Sequence, residues 1–294
     1  MTAPGGRRLR AAAIAAAIVA VAAIVASRIR RHSGVQRARS STTLVVRVTA
    51  RGAPVAARVL LFAADGQPVH IGGLDLYGKR QGAAACAIAP DVVGSWDGLI
   101  LARGVAEVPI GADACTPSPA IAYGRYRVWA WRGVEYERFE GEVDLSAGRG
   151  RVELAIPLER AWTPHGTLAA DLHVHAQASG DSRLPNPQRV IAQVAAGVQV
   201  IGLSDHNTHG DLDAEIAALG LGDTVASIAS DELTAEQLHV GVYPVQVARG
   251  APRGGGPADA DIVHQGAEAV LARARALPGH PIVQLNHPDR KSVV

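Results

Sequence analysis

The chain has 294 residues, a length that allows two ordinary domains, each with its own core. Its formal net charge of +2 conceals an asymmetry, because residues 1–40 carry eight arginines and no acidic residue while the remainder is mildly acidic. A basic tail on an acidic body, with no basic patch interleaved with aromatic residues, argues against a nucleic-acid-binding fold. No nucleic acid partner is therefore expected.

The N-terminal 40 residues have the pattern of a targeting segment. Three arginines precede an apolar run over residues 11–26, and further arginines follow it closely. A basic region before an apolar stretch is typical of a secretory signal or an N-terminal anchor, although a spanning helix usually needs about 20 residues. We therefore expect residues 1–40 to form an apolar helix with basic flanks, either a signal peptide or an anchor that meets the membrane through residues 11–26. The protein is then expected to be membrane-anchored or exported, and extracytoplasmic.

Residues 41–160 have the pattern of β structure. Short runs of β-branched or alternating residues separated by glycine turns favour an antiparallel sandwich. We interpret this part as an all-β, sandwich-like accessory domain, with a sugar- or protein-binding face as the alternative. The predicted strands are Thr42–Thr49, Ala57–Phe62, Tyr123–Trp131, Glu135–Val143 and Gly150–Leu158.

The pattern changes in residues 165–294, where predicted strands alternate with helices. Strands are expected over residues 168–175, 198–203, 224–229, 239–247 and 282–285, and helices over residues 186–198, 212–219 and 262–277. Such alternation predicts a parallel sheet or barrel, whose active site lies at the C-terminal ends of the strands.

Candidate metal ligands lie at those predicted strand ends. His173 and His175 are two residues apart on one strand, so both project from the same face. Neutral imidazoles with a carboxylate that can bridge suit Zn²⁺, Mn²⁺ or Fe²⁺. Asp171, one step deeper on that face, and Asp205, on the opposite side of its strand, are expected to support the ligands rather than bind metal. The remaining candidates are His206, Glu232 and His287, which each close a predicted strand, and His239, which opens one.

These motifs resemble, in order, those of the PHP (polymerase and histidinol phosphatase) superfamily. The match begins with Asp171-Leu172-His173-Val174-His175 and continues through Ser204-Asp205-His206-Asn207, Glu232, His239 and Asn286-His287-Pro288. The β-rich part in front and the seven-residue step from Glu232 to His239 make the chain most similar to the carbaryl-hydrolase-like branch of metallohydrolases.

The resemblance implies a distorted (β/α)7 barrel with two or three divalent ions. His173, His175 and Glu232 would hold one ion, and Glu232 would bridge to a second held by His239 and His287. His206, with Asp181, would hold a third. The family's barrel continues to a further Asp-x-His pair, whereas this sequence ends at Val294.

The predicted fold class is therefore multi-domain: an N-terminal apolar helix over residues 1–40, an all-β sandwich-like domain over residues 41–160, and a PHP-type barrel over residues 165–294 that is incomplete at its C-terminus. The expected activity is metal-dependent hydrolysis by a hydroxide shared between ions. The substrate is expected to be a small-molecule phosphoester or an amide, ester or carbamate, and the residues do not choose between them. The alternative is a catalytically impaired, membrane-anchored binding protein that carries a degenerate or truncated PHP domain.

Overall fold

The computed structural model describes residues 42–69, 71, 86–95, 98–111, 121–163 and 165–287, all of which belong to one compact unit. Most regular elements are strands. In the first part they are β1 (Thr42–Ala50), β2 (Ala53–Pro54), β3 (Ala57–Phe62), β4 (Cys86–Ala89), β5 (Val92–Ser95), β6 (Gly98–Leu101), β7 (Val105–Ile110), β8 (Arg125–Trp131), β9 (Phe139–Asp144) and β10 (Gly150–Pro157). The later strands are β11 (Ala170–Val174), β12 (Val200–Leu203), β13 (Ala226–Ala229), β14 (Asp231–Thr234), β15 (His239–Tyr243) and β16 (Ile282–Asn286). The α-helices are α1 (Asn186–Ala195), α2 (Asp213–Ala218) and α3 (Ala267–Ala276), and 3-10 turns cover Gly133–Glu135, Pro252–Gly255 and Asp259–Asp261.

The β-rich part, residues 42–157, contains a strand at each position predicted from the sequence. One sheet has β1 at its centre, paired in parallel with β10 and antiparallel with β2 and β7. The other sheet has six antiparallel strands in the order β4-β5-β6-β3-β8-β9. The parallel β1–β10 pair departs from the expected all-antiparallel arrangement. Both sheets contribute to one apolar core, for which Leu44, Leu61, Leu99, Val128 and Ile156 are representative.

The prediction of a membrane-spanning helix has to be corrected. No helix in the described part of the chain is long and apolar enough to cross a membrane, since the longest, α1 and α3, have 10 residues each. Residues 11–26, where that helix was expected, lie outside the described residues.

The predicted (β/α)7 barrel is also wrong, because no such barrel is evident in the described residues. The second part of the chain forms two separate three-stranded sheets. Strands β11, β12 and β13 run parallel, with α1 and α2 as the crossovers between them. Strands β14, β15 and β16 are antiparallel.

The physical reason lies at Ser230, where the β/α alternation stops. Strand β13 ends at Ala229 and β14 begins at Asp231, so no crossover helix fits between them. Only residues 235–238 join β14 to β15, which permits a hairpin but not a parallel connection. The sequence pattern located β13 and β15 but missed β14, and it did not fix the direction of the strands.

The C-terminal half of helix α1 is buried between the two parts of the chain. Pro187 lies in its first turn, and Gly197, with φ of +82°, ends it in a left-handed conformation. Six consecutive residues, Val190–Ala195, are buried, which an amphipathic surface helix would not show. Its side chains share a core with β11 and β12 and with four residues of the β-rich part: Ala56, Val93, Ile100 and Ala102.

Candidate metal centre

The two three-stranded sheets meet at a point that brings the candidate ligands together. A parallel bridge joins His206, just after β12, to Glu232 on β14, and an antiparallel bridge joins Gly210 to Ser230. The β15–β16 register then places His239 opposite Asn286, next to His287. Sheet pairing therefore brings together residues from distant parts of the sequence.

Glu232 is the centre of this cluster, and its side chain is fully buried. The five nearest imidazoles lie on β11 or β15, or shortly after β11, β12 or β16. Two ligand atoms bound at about 2.1 Å to one tetrahedral ion lie about 3.4 Å apart, so spacings near this value suit a shared ion. The distances to the Glu232 carboxylate oxygens are 3.1 Å from His173 Nε2, 3.4 Å from His175 Nε2, 3.0 Å from His206 Nδ1, 3.4 Å from His239 Nδ1 and 3.3 Å from His287 Nε2.

The cluster divides into three overlapping groups whose ligand atoms lie within 4.8 Å of one another. They are His173 with Glu232 and His287, His206 with Glu232 and His239, and His175 with Asp181 and His206. The seven residues predicted as metal ligands all belong to these groups. The partition differs from the one that the resemblance implies, since His287 is grouped with His173.

Hydroxyl and carboxylate groups hold the imidazoles at the Asp181 side of the cluster. The Ser179 hydroxyl lies 2.9 Å from His175 Nδ1 and donates to Asp181 Oδ1 at 2.6 Å. His206 Nδ1 is 2.6 Å from the Thr234 hydroxyl, and its Nε2 is 3.3 Å from Asp181 Oδ2. Each ring therefore has a fixed orientation before any ion is bound.

The imidazoles of the cluster have different pKa values because their surroundings differ in burial and charge. Burial lowers the pKa of His175 to about 4. Burial also opposes the charged form of His206, but Asp181 and Glu232 outweigh it and raise the pKa of His206 to about 9. The carboxylate of Glu232 similarly raises the pKa of His173. For Glu232, burial is the largest influence and raises the pKa, yet the imidazoles of His173, His206 and His239 that face it and the amide of Asn286 outweigh burial and lower the pKa.

The two aspartates predicted as support lie beneath the cluster and outside its three groups. Asp171 Oδ1 accepts the backbone NH of His173 at 3.3 Å. Its Oδ2 accepts from Gln193 of α1 at 3.0 Å. Asp205 is buried, and its Oδ1 accepts the backbone NH of Ala176 at 2.5 Å. Both aspartates thus fix the backbone that carries the ligands.

Two asparagines with structural roles were missed by sequence reasoning. Asn286 Nδ2 donates to Glu232 Oε1 at 2.8 Å. Asn207, with φ of +52°, accepts the Thr234 NH at 2.8 Å and donates to Asp259 Oδ1 at 3.0 Å. Each asparagine is directly next to a candidate ligand histidine in the sequence, and that adjacency was the one sequence feature that could have indicated its role.

A second buried polar pair lies behind the cluster. His209 is buried, and its Nε2 lies 3.4 Å from Asp231 Oδ2. Burial raises the pKa of Asp231 to about 8. The pair faces away from the Glu232 carboxylate, because Asp231 and Glu232 are neighbours on one strand.

The donor set fits a divalent transition ion. Imidazole nitrogens with bridging carboxylates are ligands that Zn²⁺, Mn²⁺ and Fe²⁺ accept. Among the residues that the structure describes, Glu232 Oε2 and His239 Nδ1 are buried polar atoms without a hydrogen-bond partner. Such atoms are costly unless something binds them, and a cation in the cluster would satisfy both. No family model, curated protein or solved structure matches this chain.

Proposed function

We propose that this chain is a metal-dependent hydrolase whose two or three divalent ions are held by the cluster around Glu232. The observation that carries the proposal is the convergence of five imidazoles, from four separate segments, on one buried carboxylate. Burying a carboxylate without compensating charge is expensive, and five histidines around it are more than ion pairing requires. The order of the sequence motifs, which resembles the PHP superfamily and its carbaryl-hydrolase-like branch, is a second support.

The accessibility of the cluster favours a catalytic role over a structural one. Structural zinc sites are closed, whereas catalytic sites keep a position for water or substrate. The side chains of His173 and His287 are 30% and 32% exposed, and that of Asp181 is 52% exposed, while Glu232 is fully buried. One side of the cluster is therefore open to a small molecule and the other is sealed by protein.

In this proposal the chain's own residues position the reaction. Divalent ions in the site would lower the pKa of water and polarise the oxygen of the substrate bond that is cleaved. Glu232 contacts both His173 and His206 and so lies where a carboxylate can be shared between ions. Asn286 fixes the rotation of that carboxylate, and Thr234 and Asp181 fix the ring of His206. The substrate is a small-molecule phosphoester, ester or amide.

The test is hydrolysis by the full chain loaded with Zn²⁺ or Mn²⁺, with nitrophenyl phosphate and a nitrophenyl ester as substrates. We expect turnover of one substrate, its loss in a chelator, and its loss in Glu232→Gln. Glu236→Gln is the matched control, because Glu236 is an exposed glutamate that pairs with His264 at 3.0 Å. Turnover that persists in chelator or in Glu232→Gln would refute the proposal, as would metal-loaded protein without hydrolysis of any ester, amide or phosphoester.

A further inference from the structure

The β-rich part of the chain contributes directly to the packing of the metal-bearing part. Ala56, Val93, Ile100 and Ala102 belong to the same buried core as Val190, Ile191 and Val194 of α1. A linked but independent domain would keep its core separate from its neighbour's. Helix α1 is therefore packed by both parts.

Arg132, directly after β8, makes a polar connection at this junction. Its Nη1 donates to the carbonyl of Val194 in the last turn of α1 at 2.9 Å and to the carbonyl of Ala56 at 3.2 Å. A cation at a helix C-terminus is favourable because the carbonyl dipoles point towards it. Both contacts are partly buried, and this burial lowers the pKa of Arg132.

Gly133 allows the two backbones to touch at the same point. It has φ of +54°, and a Cβ on it would lie 2.2 Å from the carbonyl oxygen of Ala196. Arg103, between β6 and β7, makes a parallel contact to the next helix, because its Nη2 donates to Leu219 and Gly220 at the end of α2 at 2.7 and 3.0 Å. Two arginines of the β-rich part thus bind the C-terminal ends of two helices.

The opposite side of α1 contacts the support of the metal cluster. Gln193 Nε2 donates to Asp171 Oδ2 at 3.0 Å, and Asp171 Oδ1 accepts the NH of His173 at 3.3 Å. The half-buried Arg189, also on α1, interacts electrostatically with Asp171 and Asp205. Consecutive contacts therefore lead from Arg132 through α1 to the strand that carries His173.

We propose that Arg132 is a positioning residue for the metal centre, and that the β-rich part sets the geometry of the ligands through α1. This inference rests on the proposed function, because it assigns a scaffold to the same cluster. The β-rich part is then an integral part of the site rather than a spacer. The chemical link is the series Arg132, Val194, Gln193, Asp171 and His173.

The test compares the full chain with Arg132→Ala, Arg132→Lys and the control Arg138→Ala. Arg138 is an exposed arginine of the same sheet that stacks on Trp129 at 4.1 Å and pairs with Glu140. Hydrogen–deuterium exchange of metal-free protein is read for peptides covering α1 and β11. Zn²⁺ affinity is measured by competition with a chromophoric chelator, and the visible spectrum of bound Co²⁺ reports ligand geometry.

We expect Arg132→Ala to accelerate exchange in both α1 and β11, to weaken Zn²⁺ binding about tenfold to 100-fold as loss of a ligand's support does, and to alter the Co²⁺ spectrum. Arg132→Lys should restore part of the affinity, and Arg138→Ala should match the parent. Faster exchange in α1 alone, with Zn²⁺ affinity and Co²⁺ spectrum unchanged, would overturn the proposal.

Two further outcomes are separable. If Arg132→Ala does not fold, Gln193→Met breaks the same series beyond α1, and unchanged β11 exchange and Zn²⁺ affinity in that variant would overturn the proposal. If the parent binds no metal, the proposed function fails, while β11 exchange in the metal-free variants still decides whether the β-rich part positions the ligand strand.

Discussion

At the scale of single residues, the imidazoles of the cluster differ in whether they carry a proton before metal binds. His206 and His173 have raised pKa values because acidic groups surround them, whereas burial keeps His175 neutral, with a pKa of about 4. A metal ion requires every ligand imidazole to be deprotonated at its binding nitrogen. Protons therefore compete with metal mainly at His206 and His173.

The first prediction is that Zn²⁺ affinity rises with pH. His206 carries a proton below its pKa of about 9, and Zn²⁺ must displace that proton in order to bind. For each proton displaced, the Zn²⁺ affinity should therefore increase about tenfold per pH unit until the pH exceeds that pKa. Competition titrations with a chromophoric chelator between pH 6.5 and pH 9, and calorimetry in buffers of different ionisation enthalpy, measure the slope and the protons released. An affinity that is flat over this range would contradict the prediction.

The second prediction concerns Asn286, which holds the Glu232 carboxylate. Asn286→Leu keeps the volume of the side chain but removes the 2.8 Å hydrogen bond to Glu232 Oε1. Supports of this kind typically contribute about tenfold to 100-fold to metal affinity, so Zn²⁺ should bind weaker by that factor. Gln265→Leu is the control, because Gln265 lies outside the cluster and its side chain donates to the carbonyl of Asp261. Equal affinities in the two variants would show that Asn286 does not position the carboxylate.

Much of the candidate site could be anticipated from residue types and spacing. The paired His173 and His175 on one strand, and single histidines next to strand ends, identify the side chains that the structure gathers around Glu232. The supporting contacts could not be anticipated, because Gln193 and Thr234 reach the site only through tertiary packing. A local sequence pattern carries no signal for such contacts.

At the scale of elements, the sequence predicted the positions of many strands, but it missed β2, β4–β7 and β14 and did not predict where the strand direction changes. A β-branched run predicts a strand in either a parallel or an antiparallel sheet. The connection decides between them, and the short step from β14 to β15 allows only a hairpin. The expected barrel failed at this connection, while the parallel unit β11-β12-β13, with its two helical crossovers, agrees with the β/α pattern.

The third prediction tests the backbone contact between the β-rich part and α1. Gly133→Ala must tolerate both φ of +54° and a Cβ that would meet the Ala196 oxygen. Gly150→Ala is the matched control, because Gly150 has φ of +65° but nothing within 4 Å of its Cβ position. The left-handed conformation costs about 1–2 kcal/mol in each variant, and Gly133→Ala should lose further stability beyond that. Urea denaturation gives both free energies of unfolding, and equal losses would contradict the close contact.

At the scale of the whole described unit, the β-rich part and the metal-bearing part share buried residues. The core of α1 draws side chains from both, and two arginines bind helix ends across the junction. The division into domains at residues 41–160 and 165–294 stays a prediction. Shared packing of this kind predicts that unfolding of one part affects the other.

The fourth prediction is that Zn²⁺ stabilises both parts together. Ligand that binds only folded protein adds about 4.1 kcal/mol at a concentration 1,000 times its dissociation constant. The increase should appear at one shared transition, seen by tryptophan fluorescence, since all four tryptophans precede residue 163, and by far-ultraviolet circular dichroism of the whole chain. Two separate transitions, of which only one responds to Zn²⁺, would show that the parts unfold independently.

The central claim is that the cluster around Glu232 binds divalent metal. Its most direct test is the metal content of the purified full chain, measured by plasma mass spectrometry beside Glu232→Gln and the control Glu236→Gln. We predict two to three ions per chain in the parent and the control after loading with Zn²⁺ or Mn²⁺, and a clear loss in Glu232→Gln, because this carboxylate contacts all five imidazoles. A folded parent that retains no metal, or a Glu232→Gln variant that retains as much as the parent, would contradict the claim.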